Sequence, residues 1–193
     1  MGRIIVSQNV SLDGVVQDPT GEDGFARGGW FSHLTDTDRA AWAEVEYAEA
    51  VDADAMLLGR RTYEYFVDRG WPTQTGPWAG RLRSLPKYVV SSTLSDPEWD
   101  NSTVLDGDAV EEVTKLRENL DGEIVTCGSQ QLVRVLLDHD LVDEFRLTVH
   151  PFVVGAGAQL FARTPATMAL RLVAVRTLGS GLCHLTYERM RAV

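Results

Sequence analysis

The sequence predicts an α/β domain: a mostly parallel central sheet with helices on both faces, closed at its C-terminal edge by an antiparallel hairpin. Three observations carry this. Short apolar, β-branched runs alternate with charged or amphipathic runs up to about residue 154, the rhythm of strand–helix units in a parallel sheet. Several of those runs lack polar alternation, which marks strands buried on both faces. The tail does alternate, in two runs joined by Gly-Ser-Gly, and that reads as a hairpin. No repeat, low-complexity tract or linker interrupts the 193 residues, so residues 1–193 read as one domain.

"RIIVSQNV" (3–10) is a first strand, short and β-branched. Residues 11–34 carry glycines, a proline and several acids and read as a long loop, of the length that usually serves as a lid or binding loop. "TDTDRAAWAEVEYAEAV" (35–51) begins with a cap-like Thr35/Asp36 and runs on helix formers. "AMLL" then gives a buried strand ending at Gly59, with a short helix from about Arg60 to Val67. A Gly/Trp/Pro loop covers 69–80, and "KYVVSS" (87–92) is another buried strand. The charged stretch 108–119 is a surface helix ended by Gly122. "EIVTC" (123–127) is a strand, Gly128 opens a helix over 129–140, and "DEFRLTVHPFVV" (143–154) is a long strand. The hairpin strands are 168–178 and 182–190.

Composition bounds the function. A content of 44% hydrophobic and 24% charged residues is globular, and the net charge of −10 argues against nucleic acid or an anionic membrane as partner. Cys127 and Cys183 are too few for a disulfide framework and form no CxxC pair. Cys127 reads as a small buried residue. No segment has the character of a signal peptide or a membrane span, so a reducing, cytoplasmic location is expected. His33, His139, His150 and His184 lack ligand spacing, and no metal site is expected. "GAGAQL" (155–160) imitates a dinucleotide fingerprint but puts Leu160 at the third glycine position and opens no helix.

Two strand–helix turns can carry chemistry: Leu58-Gly59-Arg60 and Cys127-Gly128-Ser129. In a parallel sheet such turns aim helix N-termini beyond the carboxyl ends of the strands, where an anion is favoured. A glycine there lets a ligand approach the backbone, and two such turns could bracket a pyrophosphate, with Arg60 and Arg61 beside one of them. Glycine also ends strands as plain architecture. At the end of "KYVVSS", Ser91 and Ser92 present hydroxyls and no carboxylate, which suits the extra phosphate of NADP better than the free ribose of NAD.

"VSLDGVVQDP", "LLGRRTYEYF", "YVVSST", "IVTCGSQQLVRVLL" and "LVDEFRLTVHPFVVGAGAQLF", in this order and spacing, resemble the dihydrofolate reductase-like superfamily. More closely, the chain resembles the stand-alone form of the reductase domain of riboflavin biosynthesis, the RibD C-terminal type. The resemblance implies an NADPH-dependent reductase. It places the cofactor on Gly59, Arg60 and Thr62, on Ser91 and Ser92, and on Gly128, Ser129, Gln130 and Leu132, with Gly14 as the lid glycine. The arginine that follows the glycine run in dihydrofolate reductases is replaced here by Gln130-Gln131, so Arg60 or Arg61 would have to grip the 2′-phosphate.

Dihydrofolate reductases hold the pterin with a carboxylate on the first helix, and ungapped counting back from Gly59 puts Ala43 there. Glu44, Glu46 and Glu49 are the nearby acids. Glu44 and Tyr47, three apart on one helix face, are the preferred substrate-facing pair, though solvated glutamates on an acidic helix read equally well. Asp13 of "SLDG" is the acid best placed to supply a proton, and as a turn residue it needs no such role. The implied substrate is a small pyrimidine- or pteridine-like heterocycle, and the named activity is reduction of 5-amino-6-(5-phosphoribosylamino)uracil. Dihydrofolate reductase is an alternative, and so is a non-catalytic nucleotide-binding protein. A zinc deaminase signature is absent. A homodimer through the tail hairpin or the late strand is implied by the same resemblance.

Overall fold

The computed structural model describes residues 1–162, 164 and 166–191. Its elements are β1 (Arg3–Ser11), α1 (Asp36–Asp52), β2 (Ala55–Gly59), α2 (Arg60–Asp68), α3 (Pro77–Ser84), β3 (Lys87–Val90), β4 (Ser102–Leu105), α4 (Ala109–Asn119), β5 (Glu123–Cys127), α5 (Gln130–Asp138), β6 (Glu144–His150), β7 (Ala169–Leu178) and β8 (Leu182–Met190). The strands form one eight-stranded sheet in the order β4-β3-β2-β5-β1-β6-β8-β7. β2 pairs parallel with β3 and β5, β3 pairs parallel with β4, and β8 pairs antiparallel with β6 and β7. The α/β class and the hairpin therefore stand as the sequence predicts. The chain divides into two compact units, Met1–Val6 with Tyr47–Asp143, and Ser7–Glu46 with the chain from Glu144 onward.

In the first unit β2 explains the absence of alternation. Met56 and Leu58 pack with Ala50, Ala53, Tyr63, Leu82, Leu85, Val89 and Trp99. Ala55 and Leu57 are equally buried and point to the opposite face by the period of two. Cys127, expected to be buried, packs against the same cluster but is only partly buried. Two elements of this unit differ from expectation. The stretch 69–80 is not all loop, because Pro77 occupies the first turn of α3, where its missing N–H costs nothing. β4 is a four-residue strand at the sheet edge, too short and too exposed for any periodicity to reveal.

In the second unit α1 is started by Thr35, whose Oγ1 accepts the Asp38 N–H at 3.1 Å. The Asp38 carboxylate accepts the Ser180 N–H at 2.6 Å and so fixes the turn between β7 and β8. The Ser180 N–H and then the Thr35 hydroxyl hold the Asp38 carboxyl down to about 2. β6 stops at His150, four residues before the predicted end, since Pro151 has no N–H to continue a ladder. The long loop is wound rather than open: buried Asp18 accepts the N–H groups of Glu22, Asp23 and Phe25 at 2.7–3.1 Å. Trp30, in a 3-10 turn at Trp30–His33, is a core residue at 3% exposure. No described helix is long and apolar enough to cross a membrane, and no described cluster of His, Cys, Asp and Glu could hold a metal ion.

Candidate active site

The two glycine turns meet. The Gly59 N–H donates to Ser129 Oγ at 3.0 Å, and the Ser129 N–H donates to Thr62 Oγ1 at 2.8 Å. Thr62 and Ser129, read from the sequence as cofactor contacts, are thus the stitches that hold the turns of β2–α2 and β5–α5 together. Gly128 and Ser129 are both left-handed, with φ of 56° and 45°. A Cβ on Gly128 would stand 3.0 Å from Thr62 Oγ1, so glycine is required by conformation and by contact alike. Gly59 is different. Its φ of −79° suits any residue, and its missing Cβ would meet Ser129 and Leu132 only at ordinary distances of 3.7–3.8 Å.

Neither α2 nor α5 has a side-chain cap at its N-terminus. The N–H groups of two first turns, Arg60 onward and Gln130 onward, therefore gather at the carboxyl ends of parallel neighbours β2 and β5. Two positive helix ends at one place favour an anion with two charges to share. Replacing Ser129 with Ala removes the acceptor of the Gly59 N–H. We expect a loss of about 1 kcal/mol in stability by urea unfolding, and weaker anion binding, from loosened turns.

The neighbouring positions arrange themselves around that cradle. Gly59 pairs in register with Val90 of β3, so Ser91 and Ser92 follow at the same end of the sheet. Buried Ser91 Oγ accepts the N–H groups of Thr93 and Leu94 at 3.2 and 3.0 Å, leaving its hydroxyl proton to donate. Ser92 is exposed. Arg60 is engaged by Glu64 at 3.0 Å in an exposed pair one helical turn away. Arg61 is exposed beside it.

In the second unit the "SLDG" and "GAGAQL" segments turn out to be each other's partners. Asp13 accepts the N–H groups of Val154 and Gly155 at 3.0 and 2.7 Å and the Ser11 hydroxyl at 2.7 Å. Val15 bridges to Gln159, and the Leu160 N–H donates to the Gly14 carbonyl. Gly14 itself takes φ of 81° with open space where a Cβ would be. The Ser11 hydroxyl first, then the Gly155 and Val154 N–H groups, hold the Asp13 carboxyl at about 2. In this geometry Asp13 is a loop anchor, its carboxylate engaged by the Ser11 hydroxyl and two backbone N–H groups.

Glu44 and Tyr47, the preferred substrate-facing pair, both stand exposed on α1. Of the acids the sequence offered there, Glu49 is buried and Glu46 is half-buried, and Glu46 is the one that reaches a neighbouring strand. Its Oε1 lies 3.5 Å from Asn9 Nδ2, and Asn9 Oδ1 lies 2.9 Å from His150 Nε2. His150 is fully buried, with the Phe31 ring stacked on it and the Trp30 ring edge-on, each centroid 5.0 Å away. Burial pulls its pKa down to about 4, against the opposing pull of Asp38. Asn9 and His150 carry no motif of their own, and their 141-residue separation hides the pair from any local reading.

The chain is similar to known proteins in sequence and in fold. The chain is 30% identical to the uncharacterized protein YyaP of Bacillus subtilis (strain 168) over 191 residues, 96% of this chain and 94% of that one. It is 27% identical to YwjB of the same organism over 136 residues, 70% of this chain and 74% of that one. Among solved structures, a Shewanella sp. PV-4 protein named for riboflavin biosynthesis superimposes with a TM-score of 0.69 at 22% identity, covering 98% and 99% of the two chains. A pyrimidine reductase-like protein of Corynebacterium diphtheriae gives 0.60 at 16% identity, covering 98% and 92%. Enterococcus faecalis dihydrofolate reductase, in complex with NADP(H) and RAB-propyl, gives 0.57 at 15% identity, covering 97% and 96%. These likenesses establish the fold as dihydrofolate reductase-like. The family model for the RibD C-terminal domain matches residues 3–184, and the chain belongs to that family.

Proposed function

We propose that this protein is an NADPH-dependent reductase of a pyrimidine- or pteridine-like heterocycle, a single reductase domain whose nearest named activity is the reduction of 5-amino-6-(5-phosphoribosylamino)uracil. The observation that carries the reading is the pair of uncapped helix N-termini stitched through Gly59, Ser129 and Thr62. Such a cradle suits a pyrophosphate by the positive potential of its two helix ends. The family and the NADP(H) complex of the Enterococcus reductase support the choice of cofactor.

In this reading the first turns of α2 and α5, including Arg60, Gln130 and Leu132, hold the pyrophosphate. Ser91, Ser92 and Arg61 receive the 2′-phosphate, and Gly14 keeps the lid-glycine role that the resemblance implies. NADPH, when bound, supplies the hydride. The protein's own contribution is to orient the substrate and exclude water. Glu46 replaces Glu44 as the substrate-facing acid, because it is turned toward Asn9 and partly shielded while Glu44 is solvated. The same placement keeps a dihydropterin substrate in play. The test is loss of reduced-nicotinamide absorbance with 5-amino-6-(5-phosphoribosylamino)uracil and with dihydrofolate. Turnover of either supports a reductase; tight NADPH binding without turnover of any heterocycle would mark a nucleotide-binding protein instead.

The homodimer belongs to the same proposal. β7 is the outermost strand, and its Leu172, Val173 and Val175 are about half exposed, more apolar surface than an edge strand usually leaves to water. Sedimentation velocity should give a dimer, and Val175→Glu should give a monomer. A monomeric wild type would contradict it.

A further inference from the structure

The charge of the chain is divided unevenly. Residues 145–193 hold six arginines and one acid, Glu188, so the tail carries +5 in a chain whose net charge is −10. The β7–β8 hairpin shows that charge beside uncovered apolar surface. Leu172 pairs with Tyr187 and Val175 with Leu185, so these four side chains share one face. Leu172 and Val175 are about half exposed, and Leu185 and Tyr187 are half-buried. Arg189 stands on the same face, two residues beyond Tyr187. Arg176 is exposed along the outermost strand, while Arg171 is neutralised by Glu188. A second uncovered surface has the opposite sign. On α1, Ala40, Glu44, Tyr47 and Val51 recur at three- and four-residue intervals and so form one stripe. All four are exposed, Tyr47 at 37% and Val51 at 48%. The exposed acids of this helix are Asp36, Glu44 and Asp52, against one exposed base, Arg39. An outward helix face that met only water would be polar throughout.

We propose that the β7–β8 hairpin of one copy docks on the α1 stripe of a second copy, in a two-fold pair that makes this contact twice. This deepens the homodimer proposed above and rests on it, naming both of its surfaces. Leu172 and Val175 cover Tyr47 and Val51 of the partner helix, and the basic hairpin meets the partner's acidic α1. An isologous pair of hairpins, the simpler two-fold arrangement, would set two basic tails against each other across the axis. Opposite charge favours the crossed contact and like charge rejects the other. Glu44 and Tyr47, a pair that shares one helix face but stands exposed, thereby become interface residues.

The test is a charge swap followed by sedimentation velocity at low salt. One double variant, Arg176→Glu with Arg189→Glu, reverses the hairpin; the other, Glu44→Lys with Asp52→Lys, reverses the helix. All four positions lie at the surface or half-buried, and circular dichroism checks that both variants fold. Each variant alone sets like charge on like at both contacts and should weaken its dimer by about tenfold or more. Mixed one to one, the two variants restore opposite charge at both contacts, and the mixed dimer should return to within about threefold of wild-type affinity. A helix variant that dimerises as the wild type does is the result expected of hairpin-on-hairpin pairing, and it would overturn the inference. So would a mixture that stays monomeric. Either result with a dimeric wild type sinks this inference alone, whereas a monomeric wild type sinks the homodimer together with it. The reductase reading is decided separately, by NADPH titration of the same wild-type sample.

Discussion

Replacing Lys87 with methionine is expected to destabilise the protein by about 3 kcal/mol, with little change in buried volume. Lys87 opens β3 and is fully buried. Its Nζ donates to the carbonyls of Leu82, Leu85 and Arg83 at 2.8, 2.7 and 3.2 Å, and lies 4.7 Å from the centre of the Trp99 ring. It therefore caps the C-terminal turn of α3 from inside the core, where the helix dipole is negative. Burial pulls its pKa down to about 8, which leaves it charged at neutral pH. Methionine supplies the apolar stem and none of the donors, so carbonyls within the core lose their partner. Urea unfolding of the two proteins at equal pH gives the difference directly. A change within about 0.5 kcal/mol, the scatter of surface substitutions, would mean that the ammonium contributes nothing net.

Acid should weaken the fold in two stages; His150 leads the first, and His184, whose pKa burial also lowers, adds to it. The folded pKa of His150, about 4, lies below the ordinary 6.5, so between those values the unfolded chain binds a proton that the folded chain refuses. Stability therefore falls as pH drops from 6.5 to 4, by about 3 kcal/mol from His150. Asp13 and Asp38 govern the second stage. Their folded pKa values, near 2 against 3.8, give stability that is present above 3.8 and lost as pH falls toward 2. His150→Phe should remove most of the first stage, leaving the smaller share of His184, and leave the second. Unfolding free energies of both proteins across that range check it, and parallel curves above pH 4 would contradict the assignment to His150.

The parts of the fold legible in the sequence were those with local signatures. β2 and β5 announce themselves as unbroken apolar runs, and the β7–β8 hairpin by alternation around Gly-Ser-Gly. α3 was masked by residues that usually mean loop, since Pro77 and Gly80 stand at helical positions only because Pro77 sits in the first turn. Within the candidate site, Gly59, Thr62, Gly128 and Ser129 were visible from the glycine turns and the family motif. What those positions do was not: the hydrogen bonds among them join residues about 70 apart in the chain. The same holds for "SLDG" and "GAG". As strings they suggested a proton donor and a false fingerprint, and as structure they are one interlock through Asp13, spanning more than 140 residues. Asn9 and His150 had no signal at all, because an asparagine in a strand and a histidine before a proline acquire meaning only when the sheet brings them together.

The measurement that tests the account most directly is a fluorescence titration of the purified protein with NADPH and with NADH, at low and at moderate salt. Two helix N-termini with Arg61, Ser91 and Ser92 at one end of the sheet should bind NADPH tightly and clearly better than NADH. The preference should shrink as salt screens the 2′-phosphate. Binding of neither nucleotide at millimolar concentration would contradict the account, and the stitched glycine turns would then be architecture without a ligand.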